Sequence, residues 1–149
     1  MSLRSTVAAS ALVVGLALPF LMADPALADP SGRKLSTTLT GAAEVPGPGD
    51  PDGRGTAKVT VNVGQSTVCY SLTVSNIAPA TAAHIHEAPA GTAGPVVLPL
   101  VAPTNGSSGA CATVDRELAK EILKNPADYY VNVHNAEFPA GAVRGQLAK

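Results

Sequence analysis

The segment Ala57-Lys58-Val59-Thr60-Val61-Asn62-Val63 alternates apolar and polar side chains without a break. A period of two is the mark of a strand with one face buried and the other in water. Val59, Val61 and Val63 take the core side, and Lys58, Thr60 and Asn62 take the solvent side. The same rhythm returns along the chain in short pieces. Leu35 to Gly41 alternates apolar with hydroxyl residues, and Thr67 to Ser75 puts Val68, Tyr70, Leu72 and Val74 on one face and Cys69 on the other. A turn at Gly64-Gln65 joins the second and third of these segments as a hairpin. Ala82 to Glu87, Val96 to Val101, Ala110 to Val114, Tyr129 to His134 and Ala142 to Leu147 read as further short strands.

What separates these pieces is as regular as the pieces themselves. Pro46-Gly47-Pro48-Gly49-Asp50-Pro51-Asp52-Gly53, Ala88 to Pro95, Pro103 to Gly109 and Glu137-Phe138-Pro139-Ala140-Gly141 are turn-forming stretches. One segment departs from the period of two. From Asp115 to Lys124, Leu118, Ile122 and Leu123 recur at helical spacing, with Asp115 as N-cap and Asn125-Pro126 as the stop. The expected fold is all-β, a Greek-key β-sandwich or flattened barrel of about seven to eight strands with one short helix at about 115–124.

The N-terminus has a separate character. Arg4 precedes an apolar run from Val7 to Met22, and Ala26-Leu27-Ala28 forms a small-x-small cleavage site, so residues 1–28 read as a secretory signal peptide. The run is shorter than the roughly 20 residues a membrane-spanning helix needs, and the helix-breaking Pro19 and Pro25 follow its centre. Residues 29–34 are expected as a flexible lead-in and 35–149 as one domain. The expected location is secreted or extracytoplasmic, with no stable membrane insertion after cleavage. Setting aside Arg4 and Asp24, the chain's 10 basic and 11 acidic residues become 9 and 10. These charges are near balance and scattered, which argues against a nucleic-acid partner. Both cysteines, Cys69 and Cys111, fall in the exported part and are expected as a disulfide.

The three histidines are the most informative side chains. His84 and His86 lie in Ala83-His84-Ile85-His86, and His134 ends Tyr130-Val131-Asn132-Val133-His134. Residues two apart on a strand project from one face, so His84 and His86 point together while Ile85 points inward. Val131 and Val133 take the core side of the second segment, which leaves Tyr130, Asn132 and His134 on the opposite face. If the two strands are neighbours, three imidazoles converge. Such a set suits copper(II), with zinc(II) as the alternative, and binds through the neutral rings. Glu87, Asn132 and Glu137 are candidates for a fourth ligand or for outer partners. The plainer alternative is a group of polar residues on the outside of a sheet.

Four ordered motifs carry a resemblance. Leu39-Thr40-Gly41-Ala42-Ala43-Glu44-Val45-Pro46, then Ala83-His84-Ile85-His86 with Gly91 and Gly94, then Tyr130-Val131-Asn132-Val133-His134, then Phe138-Pro139-Ala140-Gly141-Ala142-Val143-Arg144-Gly145-Gln146-Leu147 together resemble the CHRD domain. The resemblance runs from about Leu35 to Ala148 and implies an extracellular β-rich domain, with protein-interaction roles in animal chordins. The H-x-H stretch is also similar to the first metal-ligand strand of copper/zinc superoxide dismutases. The further histidines and the aspartate of that bridged site have no counterparts here. Within the shared motifs, Glu44 and Arg144 are expected in structural roles, with Arg144 ion-paired to Glu44 or Glu137.

Three functions follow as expectations. The first is a non-catalytic metal-binding domain, for copper above all, in sequestration or handling outside the cytoplasm. The second is a module for an extracellular protein partner, with structural histidines. The third is a mononuclear copper redox enzyme such as a dismutase. No hydrolase motif is present, neither a G-x-S-x-G elbow nor an H-E-x-x-H helix, and no catalytic residue is assigned.

Overall fold

The computed structural model describes residues 32–149. The expected signal peptide and the first part of the lead-in, residues 29–31, lie outside the described residues. The elements are β1 (Arg33–Thr40), β2 (Arg54–Asn62), β3 (Thr67–Ser75), β4 (Ala80–Glu87), β5 (Val96–Leu100), β6 (Ser107–Thr113), α1 (Arg116–Lys124), β7 (Tyr129–Asn135) and β8 (Val143–Gln146). β1 begins two residues ahead of Leu35. Arg33 and Lys34 pair with Val61 and Thr60 of β2, so the last two lead-in residues belong to the sheet.

The eight strands form one antiparallel sheet in the order β5-β4-β7-β8-β1-β2-β3-β6. The sheet curls into a nearly closed barrel rather than splitting into two layers. Its two edge strands approach without pairing, and side chains bridge the seam. The Ser108 hydroxyl donates to the Val101 carbonyl (2.7 Å), and the Val101 N–H donates to the Tyr70 hydroxyl (2.7 Å). Closure hides the edges that an open sheet would present to other chains.

The period of two decides what fills the interior. Leu35 and Leu39 from β1, Val59 and Val61 from β2, Val68 and Leu72 from β3, Ile85 from β4, Val131 and Val133 from β7 and Val143 from β8 are buried in one core. The helix adds Ala119 and Ile122 to it. Its start is fixed by Asp115, whose side chain accepts the Glu117 N–H at 2.7 Å. A cap of this kind contributes about 1 kcal/mol to a helix this short.

β6 is held differently. Its residues alternate between exposed and half-buried, and none is fully buried. Hydrophobic anchorage is therefore weak, and the strand depends on its ladder with β3 and on the Cys69–Cys111 disulfide, which joins directly opposed residues. The cross-link closes a separation of 42 residues, for which loop-closure entropy gives a stabilisation of about 4 kcal/mol. A Cys69→Ala, Cys111→Ala variant is expected to lose stability of that order in denaturant titration. Native-state hydrogen exchange should show residues 107–113 losing protection first, whereas a uniform loss over all strands would mean β6 is anchored by packing.

Candidate metal centre

β4 and β7 are neighbours, and their register arranges one face of the sheet. Ala82 lies opposite His134, His84 opposite Asn132 and His86 opposite Tyr130. β8 continues the rows, with Arg144 opposite Asn132 and Gln146 opposite Tyr130. Two polar rows thus cross three strands on the side away from the core: His84, Asn132, Arg144 and His86, Tyr130, Gln146. The ring centroids are 5.0 Å apart for His84 and His134 and 5.3 Å apart for His84 and His86.

Much of this outer face is covered, although His84 and His134 stay half-buried. The loop after β4 folds over it and spends its backbone on the side chains beneath. Gly94 accepts from His86 Nδ1 (2.9 Å), its N–H donates to the Tyr130 hydroxyl (3.2 Å), and the carbonyls of Ala88 and Pro89 accept from Gln146 and Arg144. A Cβ at position 94 would collide with the Glu87 carbonyl, so glycine lets the loop lie this close. As a result Asn132, Tyr130 and Arg144 are buried although they face outward. His86 stacks on Tyr130 at 4.8 Å with rings nearly parallel, and the Arg144 guanidinium lies 3.4 Å from the centre of the same ring.

The hydrogen bonds fix the tautomers. A carbonyl oxygen only accepts, so His86 carries its proton on Nδ1 and leaves a lone pair on Nε2. That Nε2 is buried and has no partner among the described residues. His134 donates in the same way from Nδ1 to the Pro139 carbonyl (3.0 Å), which leaves Nε2 as an acceptor 3.2 Å from His84 Nδ1. One nitrogen from each of His84, His86 and His134 falls within 4.8 Å of the others. Two nitrogens bound at tetrahedral angles to one zinc- or copper-sized ion are separated by about 3.3 Å. The His84–His134 pair already has that spacing.

Of the candidate additional ligands, Asn132 belongs to this centre, with its Oδ1 3.1 Å from His134 Nε2. Glu87 and Glu137 do not. Glu87 ends β4 on the side opposite His86, exposed and opposite Tyr129, and Glu137 is exposed in the turn after β7. The groups that orient the imidazoles are backbone carbonyls, as is common behind metal-bound histidines. The expected pairing of Arg144 with Glu44 or Glu137 is also not made. Among the described residues the ion pairs within 4.0 Å are Lys120–Glu117 and Lys124–Glu121. Arg144 instead spends Nη2 on Pro89 and Gln146 and its flat face on Tyr130. The sequence pattern puts Tyr130 on the histidine face but does not reveal this stacking.

Burial, reinforced by the neighbouring rings of His134 and His86, holds His84 below the ordinary histidine pKa, and the Asn132 hydrogen bond works against it. His134 is also lowered, by burial first, against the opposing bond to Pro139. Both rings therefore hold the neutral form, which ligands need, to lower pH than a free imidazole does. Glu44 moves in the opposite sense. Burial raises its pKa from 4.5 to about 7, although the nearby Arg144 charge pulls it down.

These shifts give a signed pH dependence. For the two histidines the unfolded chain binds more protons between the lowered folded values and 6.5. Their contribution is full above 6.5 and is lost as pH falls below it. For Glu44 the folded chain binds more protons, so its contribution is full below 4.5 and is lost as pH rises through about 7. Urea titrations from pH 4 to 8 should show His84→Gln, His134→Gln losing less stability than the wild type below 6.5. Glu44→Gln should gain relative to the wild type as pH rises through 7. Parallel profiles for all three proteins would contradict this account.

No curated protein and no solved structure matches this chain. A family model does: it covers residues 35–147, from the second turn of the alternating pattern in β1 to the residue that follows β8, and takes in every segment that builds the histidine face. The chain belongs to the CHRD domain family.

Proposed function

We propose that this CHRD domain is an extracytoplasmic metal-binding protein that holds one copper(II) ion, or zinc(II) as the alternative, through His84, His86 and His134, and serves in sequestration or handling rather than catalysis. The family and the Cys69–Cys111 disulfide support an extracellular-type module in an oxidising compartment. The observation that carries the reading is the convergence of three oriented imidazoles. The Nδ1 protons of His86 and His134 are committed to carbonyls, His134 Nε2 lies 3.2 Å from His84 Nδ1, and one nitrogen of each ring falls within 4.8 Å of the others. An ion bound there through His84 Nδ1 would require that ring's single proton to sit on Nε2 instead, while His86 and His134 keep theirs on the carbonyls.

The donor set favours copper(II) by affinity order, since imidazole nitrogen binds it above zinc(II). Thioether and thiolate chemistry is absent from the centre. The methionines are Met1 and Met22, outside the described residues, and both cysteines are in the disulfide. Asn132 Oδ1 and water are the oxygen donors within reach.

A second reading rests on the same contacts. The bonds to Gly94 and Pro139 also tie down the two loops around β4 and β7, so the histidines would brace the surface of a module that works through a protein partner.

Calorimetric titration of the purified protein with copper(II) and with zinc(II), beside a His84→Ala, His86→Ala, His134→Ala variant, separates the two. Metal binding predicts one ion per chain, nitrogen hyperfine structure in the electron paramagnetic resonance spectrum, and loss of both in the variant. Single alanine variants should weaken binding by more than the about 10–100-fold carried by outer partners. Weak or non-stoichiometric binding by the folded wild type would leave the bracing role and overturn the metal assignment.

A further inference from the structure

A cavity lies beside Glu44 and Arg144. It measures about 290 Å³ and is lined by Glu44 and Arg144 with the small or apolar residues Ala42, Ala43, Val45 and Gly91. Glu44 and Arg144 are 7% and 1% exposed, and each has one buried atom with no partner among the described residues, Oε1 in Glu44 and Nη1 in Arg144. They do not satisfy each other, being further apart than an ion pair allows. The neighbouring Gln146 and the other terminal nitrogen of Arg144 are engaged. Gln146 gives Nε2 to Ala88 and Ala127 and its Oε1 to Arg144, and Arg144 Nη2 is bonded to Pro89 and Gln146.

A buried donor and a buried acceptor left unmade are costly, and two of them on residues that line one cavity describe a surface shaped for an occupant. The occupant must accept from a guanidinium and donate to a carboxyl oxygen. A carboxylate meets Arg144 but opposes Glu44, and an ammonium group does the reverse. A primary carboxamide meets both, because its oxygen accepts and its nitrogen donates, and above about pH 7, where Glu44 is ionised beside Arg144, its neutral charge matches the pair. The volume exceeds the about 30 Å³ share of one water and fits a single small side chain or molecule.

We propose that this cavity binds a primary carboxamide, offered either by a small free amide or by a Gln or Asn side chain of a partner polypeptide. Solvent does not reach Oε1 or Nη1 in this conformation, so binding includes a small outward movement of the rim formed by Ala42, Ala43 and Gly91. The proposal stands apart from the metal centre, and its test uses metal-free protein.

The experiment is heteronuclear NMR of the isotope-labelled protein titrated with glutamine, with a short glutamine-containing peptide and with glutamate. Saturable shifts at Ala42, Ala43, Gly91 and the Arg144 side chain are expected from both carboxamide probes, with glutamine at least about tenfold tighter than glutamate. The shifts should vanish in Glu44→Leu. They should also vanish in Ala42→Leu, which fills the mouth from an exposed position and leaves the buried pair intact. A peptide tighter than free glutamine assigns a polypeptide partner, and equal affinities assign a small amide. No saturation by either carboxamide up to about 100 mM, or tighter binding of glutamate, would overturn the proposal.

Discussion

The antiparallel pairing of β4 with β7 in a single register is the constraint on which the rest depends. Opposing His84 to Asn132 places His134 diagonally across from His84 and sets Tyr130 against His86. A slip of β7 by one residue would turn Asn132 and His134 into the core and Val131 and Val133 out of it. That register is enforced from the other face of the same strands, where Ile85, Val131 and Val133 are fully buried. The hydrophobic core therefore positions the polar centre although the two share no side chains.

The centre is also a second, polar interior. A sheet face directed away from the core is ordinarily wet, yet here the loop from Ala88 to Pro95 and the turn from Phe138 to Gly141 supply backbone carbonyls to His86, His134, Arg144 and Gln146. Each contact both covers a side chain and fixes its orientation. The stack of His86, Tyr130 and Arg144 joins the histidines to the Glu44 cavity through a single aromatic ring. Burial does the same electrostatic work at both ends, lowering His84 and His134 and raising Glu44. In every case the neutral form is favoured.

What the sequence made legible was whatever repeats at a fixed period. Alternation located the strands and assigned Val59, Val61, Ile85, Val131 and Val133 to the core, and the same alternation placed His84, His86 and His134 on one side. Asp115 and Asn125-Pro126 bounded the helix because capping is a local property. Alternation allows both a sandwich and a flattened barrel, and the choice between them depends on the long-range pairing of β1 with β8 and of β4 with β7. Gly94 and Pro139 were not legible as the groups behind the imidazoles, because a carbonyl is carried by every residue and leaves no signature. Glu44 and Arg144 read as partners by charge alone. The loop over β8 gave Arg144 other partners, which no pattern within the motif announces.

The central claim is that three imidazoles share one ion, and the most direct measurement is a crystal structure of the copper-loaded protein with anomalous data collected across the copper edge. The account predicts one anomalous peak within about 2.0–2.1 Å of a nitrogen from each of His84, His86 and His134, close to the zinc–nitrogen distance, with the Nδ1 bonds of His86 and His134 to Gly94 and Pro139 intact. A peak elsewhere, or a cluster that keeps its His84–His134 hydrogen bond in the presence of copper, would contradict it.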